Sequence, residues 1–271
     1  MEPSRVAAEL LAYGRELEAA GAAQFDGSFS GNAEADALIE ASANAFLLGV
    51  LFTQGIPAER AWAGPFELML RLGTLDLSYL AENPASVRLA FQRSPMLHRF
   101  KETLPRWICS AAQKLILEYD GDARLVWPAG AHVLEVTERL SAFDGIGRKK
   151  SVMAVEILTR HFGVDLVGRE RGQVAYDVQV RRVFLRSGLV AEDTPAAIAA
   201  AAAAACPGAP GTLDLPAWLI GRETCRPKKP LCDRCRLGEV CPRLVDRQVA
   251  GVGARYSALR STSPEGTLGK K

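Results

Sequence analysis

Four of the six cysteines crowd into one short segment near the carboxyl end of this 271-residue chain. They are separated by six, two and five residues and stand at Cys225, Cys232, Cys235 and Cys241. The sequence shows no secretion signal, so we expect reduced thiols, and these favour a metal site over disulfides. Structural zinc usually takes two short ligand pairs, whereas four thiolates in one loop can surround a polynuclear core. The spacing therefore predicts a 4Fe–4S cluster, with zinc and unmetallated thiols as the alternatives.

The stretch between the first two of these cysteines is basic and reads Arg226-Pro227-Lys228-Lys229-Pro230-Leu231. It is tied at both ends by a cysteine and stiffened by two prolines, so little flexibility would be lost on binding. We predict that it contacts phosphate groups through its lysines. The alternative is an ordinary solvated surface loop.

A second candidate segment reads Phe143-Asp144-Gly145-Ile146-Gly147-Arg148-Lys149-Lys150. Its two glycines permit a tight turn, and the free N–H groups at the start of the following helix would point at an anion. By itself the pattern is equally typical of an ordinary turn, and no strand precedes it as a dinucleotide site requires.

Charge is unevenly distributed along the chain, although the formal net charge is only +2. Residues 1–60 carry three basic and nine acidic side chains, whereas 139–186 carry ten basic and five acidic ones. Residues 220–248 carry eight basic and four acidic ones. Two basic stretches at the motifs above favour an anionic partner over merely solvated faces.

Together these segments resemble the helix-hairpin-helix DNA glycosylases of the endonuclease III family. That family reads Leu-Pro-Gly-Val-Gly-Arg-Lys-Thr at the hairpin, where this chain has the segment 143–150, and it has the same cysteine spacing. The family's Val-Asp-Thr-His-x-x-Arg-Val is similar to the stretch from Asp177 to Val183. Leu51–Gln54 and Leu219–Arg222 also look like family segments, so the resemblance runs from about Ala43 to Arg243.

The resemblance implies that Lys149 is a nucleophile and Asp177 an essential carboxylate. Loss of a base leaves positive charge on the sugar, which an anion stabilises and an amine captures covalently. The resulting Schiff base permits β-elimination at the abasic site. Arg148 and Lys150 would supply the positive charge that helps an amine lose its proton. The alternatives are a solvated lysine for Lys149 and a helix cap for Asp177, the latter compatible with catalysis.

The resemblance also implies a set of DNA contacts. Gln54 would fill the gap left by an extruded base, although it could be a plain turn residue. Phosphate contacts fall to residues of the hairpin and of the basic loop: Gly145, Gly147, Arg148, Lys228 and Lys229.

Several positions depart from the family pattern. Asp144 replaces the hairpin proline, and Lys150 replaces the threonine after the nucleophile. Val178 and Gln179 follow Asp177 in place of Thr-His, and the link 164–175 is longer than usual. Because these changes surround the expected pocket, they bear on substrate choice and catalytic strength more than on fold.

The function expected from the resemblance is base-excision DNA repair, with removal of damaged bases, foremost oxidised pyrimidines, and lyase cleavage of the abasic site. One alternative is a monofunctional glycosylase, although the adenine-specific relatives carry serine at the position of Lys149. The other is a non-catalytic iron–sulfur protein that binds DNA.

The elements that must position these residues are helical, and the expected fold is all-α with two lobes around a DNA cleft. One lobe is a helical barrel at 35–162 that includes the helix-hairpin-helix. The other combines the N-terminal segment 1–34 with the cluster lobe at 163–249, and 250–271 is a mobile tail. The predicted helices span Ala35–Phe52, Ala58–Leu72, Ala85–Phe91, Leu97–Glu118, Ala131–Ala142, Ser151–Phe162, Asp177–Ser187 and Pro195–Ala205.

Composition agrees with a globular protein, since 48% of residues are hydrophobic, 24% are charged and the mean hydropathy is +0.03. No apolar run approaches the roughly 20 residues of a membrane helix. We therefore expect a cytoplasmic monomer, associated with the nucleoid if bacterial, whose partner is damaged or abasic DNA.

Overall fold

The computed structural model describes residues 4–20 and 28–246. Within these ranges the chain is helical and has no strand, which confirms the expected all-α class. The predicted mobile tail, 250–271, lies outside the described residues. The α-helices are α1 (Arg5–Ala19), α2 (Ala33–Ala41), α3 (Ala43–Phe52), α4 (Ala58–Trp62), α5 (Gly64–Leu72), α6 (Leu77–Glu82), α7 (Pro84–Gln92), α8 (Thr103–Glu118), α9 (Val133–Ser141), α10 (Arg148–Arg160), α11 (Val178–Arg186), α12 (Pro195–Ala205) and α13 (Asp214–Glu223).

The first long predicted helix, Ala35–Phe52, is wrong as a single element. Ser42 adopts extended backbone angles, ends α2, and accepts a hydrogen bond from the N–H of Ala45 at 3.2 Å. This serine is therefore the N-cap of α3, and the two helices meet at a bend of 120°. No single helix in the described ranges is long and apolar enough to cross a membrane, although this bent pair and a second one pass when taken together.

Other boundaries also differ from the prediction. Residues 58–72 form two helices, since Gly64 and Pro65 start α5 directly after α4. The helix expected from Leu97 begins only at Thr103, because residues 93–102 form bends and turns. Helices α1, α6 and α13 were not predicted.

The larger hydrophobic core draws on residues between 29 and 166, with α3 at its centre. Eight of the ten residues of α3 are buried, so this helix is apolar on every side. The rings of Phe46 and Trp62 stack with centroids 5.6 Å apart. This packing fixes where α3 ends, at Phe52, and hence where the next turn begins.

The smaller hydrophobic core joins the two ends of the chain. Leu10 of α1 packs in it together with Ile220 of α13. Arg236, which lies between the last two clustered cysteines, pairs with Glu9 at 2.9 Å and with Glu16 at 2.6 Å. Both carboxylates belong to α1, so the first helix is fastened directly to the cysteine segment.

Substitution of Gly49 by alanine would test how closely α3 is packed. A Cβ atom at this position would lie 2.7 Å from ring carbons of Trp62, which Phe46 holds by stacking. We expect Gly49→Ala to lower the free energy of unfolding by about 1–2 kcal/mol, because overpacking outweighs alanine's better helix propensity. Urea denaturation would measure the change. Exposed Gly208 has no atom within 4 Å of such a Cβ, so Gly208→Ala is the matched control and should alter stability by less than about 0.5 kcal/mol. An unchanged Gly49→Ala midpoint would contradict the packing described.

Candidate active site

A cavity of about 540 Å³ lies between the two cores. Its walls come from the turn after α3, from α4, α10 and α13, and from the start of α11. Apolar side chains on these walls are Ile56, Trp62, Met153, Leu215 and Trp218. Among the described residues, the indole Nε1 of Trp62 is buried with no hydrogen-bond partner. The cavity wall is therefore largely apolar, and the unpaired Nε1 of Trp62 lies behind it.

Lys149 and Asp177, paired on sequence grounds, meet at this cavity and both line it. Lys149 lies in the first turn of α10, and its Nζ is 2.5 Å from Oδ2 of Asp177. The lysine side chain is 53% exposed and the carboxylate only 7%, so the amine can reach solvent while the anion stays shielded. Asp177 is also the N-cap of α11, since its Oδ1 accepts from the N–H of Gln179 at 2.8 Å. The two roles considered for Asp177 are thus compatible in this geometry.

The hairpin turn between α9 and α10 places Gly145 and Gly147 in different environments. Gly145 has φ of +81°, and a Cβ there would lie 2.4 Å from the ring of Trp107, so only glycine fits. Gly147 is the N-cap of α10 with φ of −88° and open space around it. Arg148 follows as an exposed side chain. Asp144, the departure from the family pattern, accepts from Ser110 Oγ at 2.8 Å.

Gln54 lies on the turn after α3, between Thr53 and Gly55, which both line the cavity. Its side chain is half-buried, and its backbone N–H donates to the carbonyl of Phe52 at 2.6 Å. The structure therefore places Gln54 beside the cavity rather than in its wall.

The basic loop lies apart from the cavity, with Lys228 and Lys229 exposed. Buried Arg186 of α11 anchors this loop by donating to the carbonyls of Arg226 at 2.7 Å and Pro227 at 3.1 Å. A fixed backbone with exposed lysines is the arrangement expected of a phosphate contact.

The four clustered thiols are half-buried, and Cys225, Cys235 and Cys241 pack against the smaller core. Burial raises the pKa of Cys241, and the neighbouring Cys235, Cys225 and Cys232 raise it further, so the four side chains lie close enough to interact. In the described part of the chain no three ligand side chains are arranged to hold a single metal ion. The all-thiol donor set fits an iron–sulfur cluster, in which thiolates bind iron ions that sulfide bridges.

Two buried acids in the cavity were not predicted from the sequence. Desolvation by burial raises the pKa of Glu156 to about 7 and that of Asp214 to about 6. Asp214 Oδ1 also accepts from the N–H of Ala175 at 2.7 Å and so orders the turn that leads into Asp177. Asp214 begins α13, a helix that the apolar pattern did not predict, so no signal in the sequence marked this residue.

One ion pair spans the cavity from one core to the other. Glu59 of α4 contacts Arg222 of α13, whose guanidinium lies 5.3 Å from the ring centroid of Trp218. Both charged side chains are about one-third exposed, so the pair lies near the cavity mouth.

Lys150 corrects one expectation. It was expected to supply positive charge beside Lys149, but its side chain is buried and its Nζ donates to the carbonyl of Leu51 at 2.8 Å. Burial, followed by the charge of Lys149, lowers the pKa of Lys150 to about 7. Near neutral pH only part of the population therefore carries this charge.

The pH dependence of the unfolding free energy tests whether Glu156 is buried at the cavity. Its pKa of about 7 exceeds the ordinary value of 4.5, so the folded state binds more protons between these values. Its contribution to the unfolding free energy is thus full below pH 4.5 and is lost as the pH rises through 7. We expect the difference in unfolding free energy between Glu156→Gln and the native protein to rise by roughly 2 kcal/mol, in favour of the variant, from about pH 5 to about pH 8. Urea denaturation at both pH values would measure it. Glu138 is exposed on α9, so Glu138→Gln is the control. Its unfolding free energy should differ from that of the native protein by the same amount at both pH values. A pH-independent difference for Glu156→Gln would refute the burial.

No protein-family model matches the chain, and no curated protein matches it by sequence. Solved structures do match its fold. A trapped endonuclease III–DNA covalent intermediate has a TM-score of 0.57 at 19% identity and covers 76% of this chain and 86% of that one. A non-covalent endonuclease III–DNA complex scores 0.57 at 18% identity with the same coverage. A thermostable thymine-DNA glycosylase scores 0.59 at 11% identity and covers 89% of this chain and 98% of its own.

These solved proteins are all helix-hairpin-helix DNA glycosylases. Their likeness extends over most of the chain, from which both cores and the hairpin between α9 and α10 are built. The chain therefore has the helix-hairpin-helix DNA glycosylase fold, as the motifs in its sequence predict.

Proposed function

We propose that the chain is a base-excision repair glycosylase that removes damaged bases, foremost oxidised pyrimidines, and then cleaves the abasic site as a lyase. The observation that carries this proposal is the contact between an exposed amine and a shielded carboxylate, Lys149 and Asp177, in the wall of a base-sized cavity. The fold supports the glycosylase class, because the solved structures that share it are DNA glycosylases.

Asp177 has the environment that stabilisation of a sugar cation requires. As the base departs, positive charge develops at the anomeric carbon, and an anion nearby lowers the barrier. The carboxylate is 7% exposed, and shielding from water strengthens its interaction with that charge. Its Oδ2 lies 2.5 Å from Lys149 Nζ, so the carboxylate also holds the amine close to the place where that charge develops.

Lys149 then acts as the nucleophile. The neutral amine bonds to the anomeric carbon C1′ as the C1′–base bond breaks, and opening of the sugar ring at its C1′–O4′ bond then gives a protonated Schiff base. Loss of a proton from C2′ to a base expels the 3′ phosphate as the leaving group, so β-elimination breaks the strand 3′ to the lesion. One solved structure with this fold is a trapped endonuclease III–DNA covalent intermediate, and that precedent supports a covalent step in the proposed reaction.

The cavity supplies a place for the extruded base. Its volume of about 540 Å³ and the half-buried ring of Trp218 in its wall suit a flat ring with polar edges. Gln54, on the adjacent turn, would fill the gap in the stack and so offset part of the few kcal/mol that extrusion costs.

Duplex DNA is the proposed partner. Gly145, Gly147 and exposed Arg148 would contact the backbone near the lesion, and Lys228 and Lys229 would contact it at a second point. Arg186 keeps the second contact in place through the loop carbonyls.

The four clustered cysteines would hold a 4Fe–4S cluster in this proposal. When bound, the cluster would cross-link the segment around the basic loop and stabilise it, with no redox step required. The chain's own residues, Arg182 and Arg186, already donate to carbonyls of the same segment.

Borohydride trapping on a duplex with one abasic site tests the lyase step. We expect native protein to form a covalent complex and Lys149→Ala to lose it by at least about 100-fold, since the variant lacks the attacking amine. Lys114→Ala is the matched control, because Lys114 pairs with Glu118 on α8 away from the cavity. Excision without trapping would indicate a monofunctional glycosylase. Tight binding without turnover, unchanged by Asp177→Asn, would indicate a non-catalytic DNA-binding protein.

Metal analysis of protein purified without oxygen tests the cluster. We expect a yellow-brown preparation with iron and sulfide in 4Fe–4S proportion, and expect Cys232→Ser to lose most of the iron because a ligand is removed. Cys206→Ser is the control, since Cys206 lies outside the four-cysteine segment. A colourless protein that contains zinc but no iron would overturn the assignment.

A further inference from the structure

Lys149 and Lys150 are sequence neighbours whose side chains lie in opposite environments. The side chain of Lys149 is 53% exposed, whereas Lys150 is 7% exposed and its Nζ is 2.8 Å from the carbonyl oxygen of Leu51. The proposed reaction uses only the first of these amines. Burial of the second is unfavourable unless its contacts compensate for the lost hydration, so the contact with Leu51 is the feature to explain.

That partner lies in the last turn of α3. Carbonyls in the last turn of a helix have no partner within the helix, and α3 is too buried for water to serve all of them. Other side chains contact them instead: Thr53 Oγ1 donates to Val50 at 2.7 Å, and His98 Nε2 lies 3.2 Å from the oxygen of Phe52. Lys150 completes this set through its hydrogen bond to the carbonyl of Leu51.

The contact joins two segments that the proposed reaction uses separately. Gln54 stands three residues after Leu51, on the turn that leaves α3, and its N–H is bonded to the carbonyl of Phe52. Lys150 stands one residue after Lys149, in the first turn of α10. A single hydrogen bond therefore connects the end of α3, from which the Gln54 turn leaves, to the first turn of α10, which carries Lys149.

Trp107 of α8 strengthens this connection on the hairpin side. Its ring centroid lies 6.0 Å from Lys150 Nζ. The same ring would be 2.4 Å from a Cβ at Gly145, so it also packs closely on the hairpin turn. Lys150 is thus held between the end of α3 and the hairpin.

We propose that Lys150 is a positioning residue that fixes the Gln54 turn relative to Lys149, so that the base gap is filled where the amine meets the sugar. This inference rests on the proposed function. A threonine at this position, as the family pattern has it, is too short to reach the carbonyl of Leu51, so the device belongs to this chain's own sequence. Loss of Lys150 should impair extrusion of a base more than attack on a site that has already lost its base.

The test uses two variants of the full chain. Lys150→Met keeps the length of the apolar stem and removes the donor, while Lys150→Arg keeps a cationic donor. Extrusion is followed by the fluorescence of 2-aminopurine placed beside a thymine glycol in a duplex, and covalent attack by borohydride trapping on a preformed abasic site. We expect Lys150→Met to reduce the fluorescence response at least about tenfold with trapping within about threefold of native, and Lys150→Arg to restore the response.

Two results from the Lys150→Met variant would overturn the inference. A native response from Lys150→Met would show that the contact has no positioning effect. An equal fall in response and trapping, with a lowered melting temperature, would show that Lys150 only supports the fold. If native protein extrudes the base but neither traps nor excises, the proposed function fails, and the two fluorescence responses still decide the role of Lys150. If native protein traps the abasic site but gives no fluorescence response, the inference about Lys150 fails while the lyase step stands.

Discussion

The contact between Lys149 and Asp177 depends on the placement of one hydrophobic core against the other. The lysine extends from α10, whose apolar residues belong to the larger core, and the carboxylate caps α11, whose apolar residues belong to the smaller one. A shift between the cores would separate the two groups. A further ion pair, Glu59 with Arg222, crosses the same boundary. Because it is partly exposed, it contributes little stability.

The motifs that carry chemistry could be predicted because these combinations of residue types, at these spacings, seldom occur for structural reasons alone. Four close cysteines, a glycine turn before a basic helix start, and an aspartate at a helix start all lie where the sequence places them. Helix breaks were harder to predict. Ser42 interrupts an unbroken apolar pattern, because one extended residue is enough to turn the chain while both flanking helices remain packed on the core.

The interior of the cavity could not be predicted, since it depends on which side chains face inward in three dimensions. Lys150 resembles a solvated lysine in a basic run, yet it points into the protein while its neighbour points out. Glu156 and Asp214 are distant in sequence and meet only through packing. Burial of these three ionisable side chains lowers the stability of the folded state. Such a loss of stability is common where a protein retains groups for activity.

The packing of α1 on α12 and α13 makes the smaller core join segments that are far apart in the chain. The larger core draws on residues between 29 and 166. The apolar face of α1, by contrast, has no native partner until residues 195–223 have been made. In synthesis from the amino end, all residues of the larger core are therefore available before the smaller core can close.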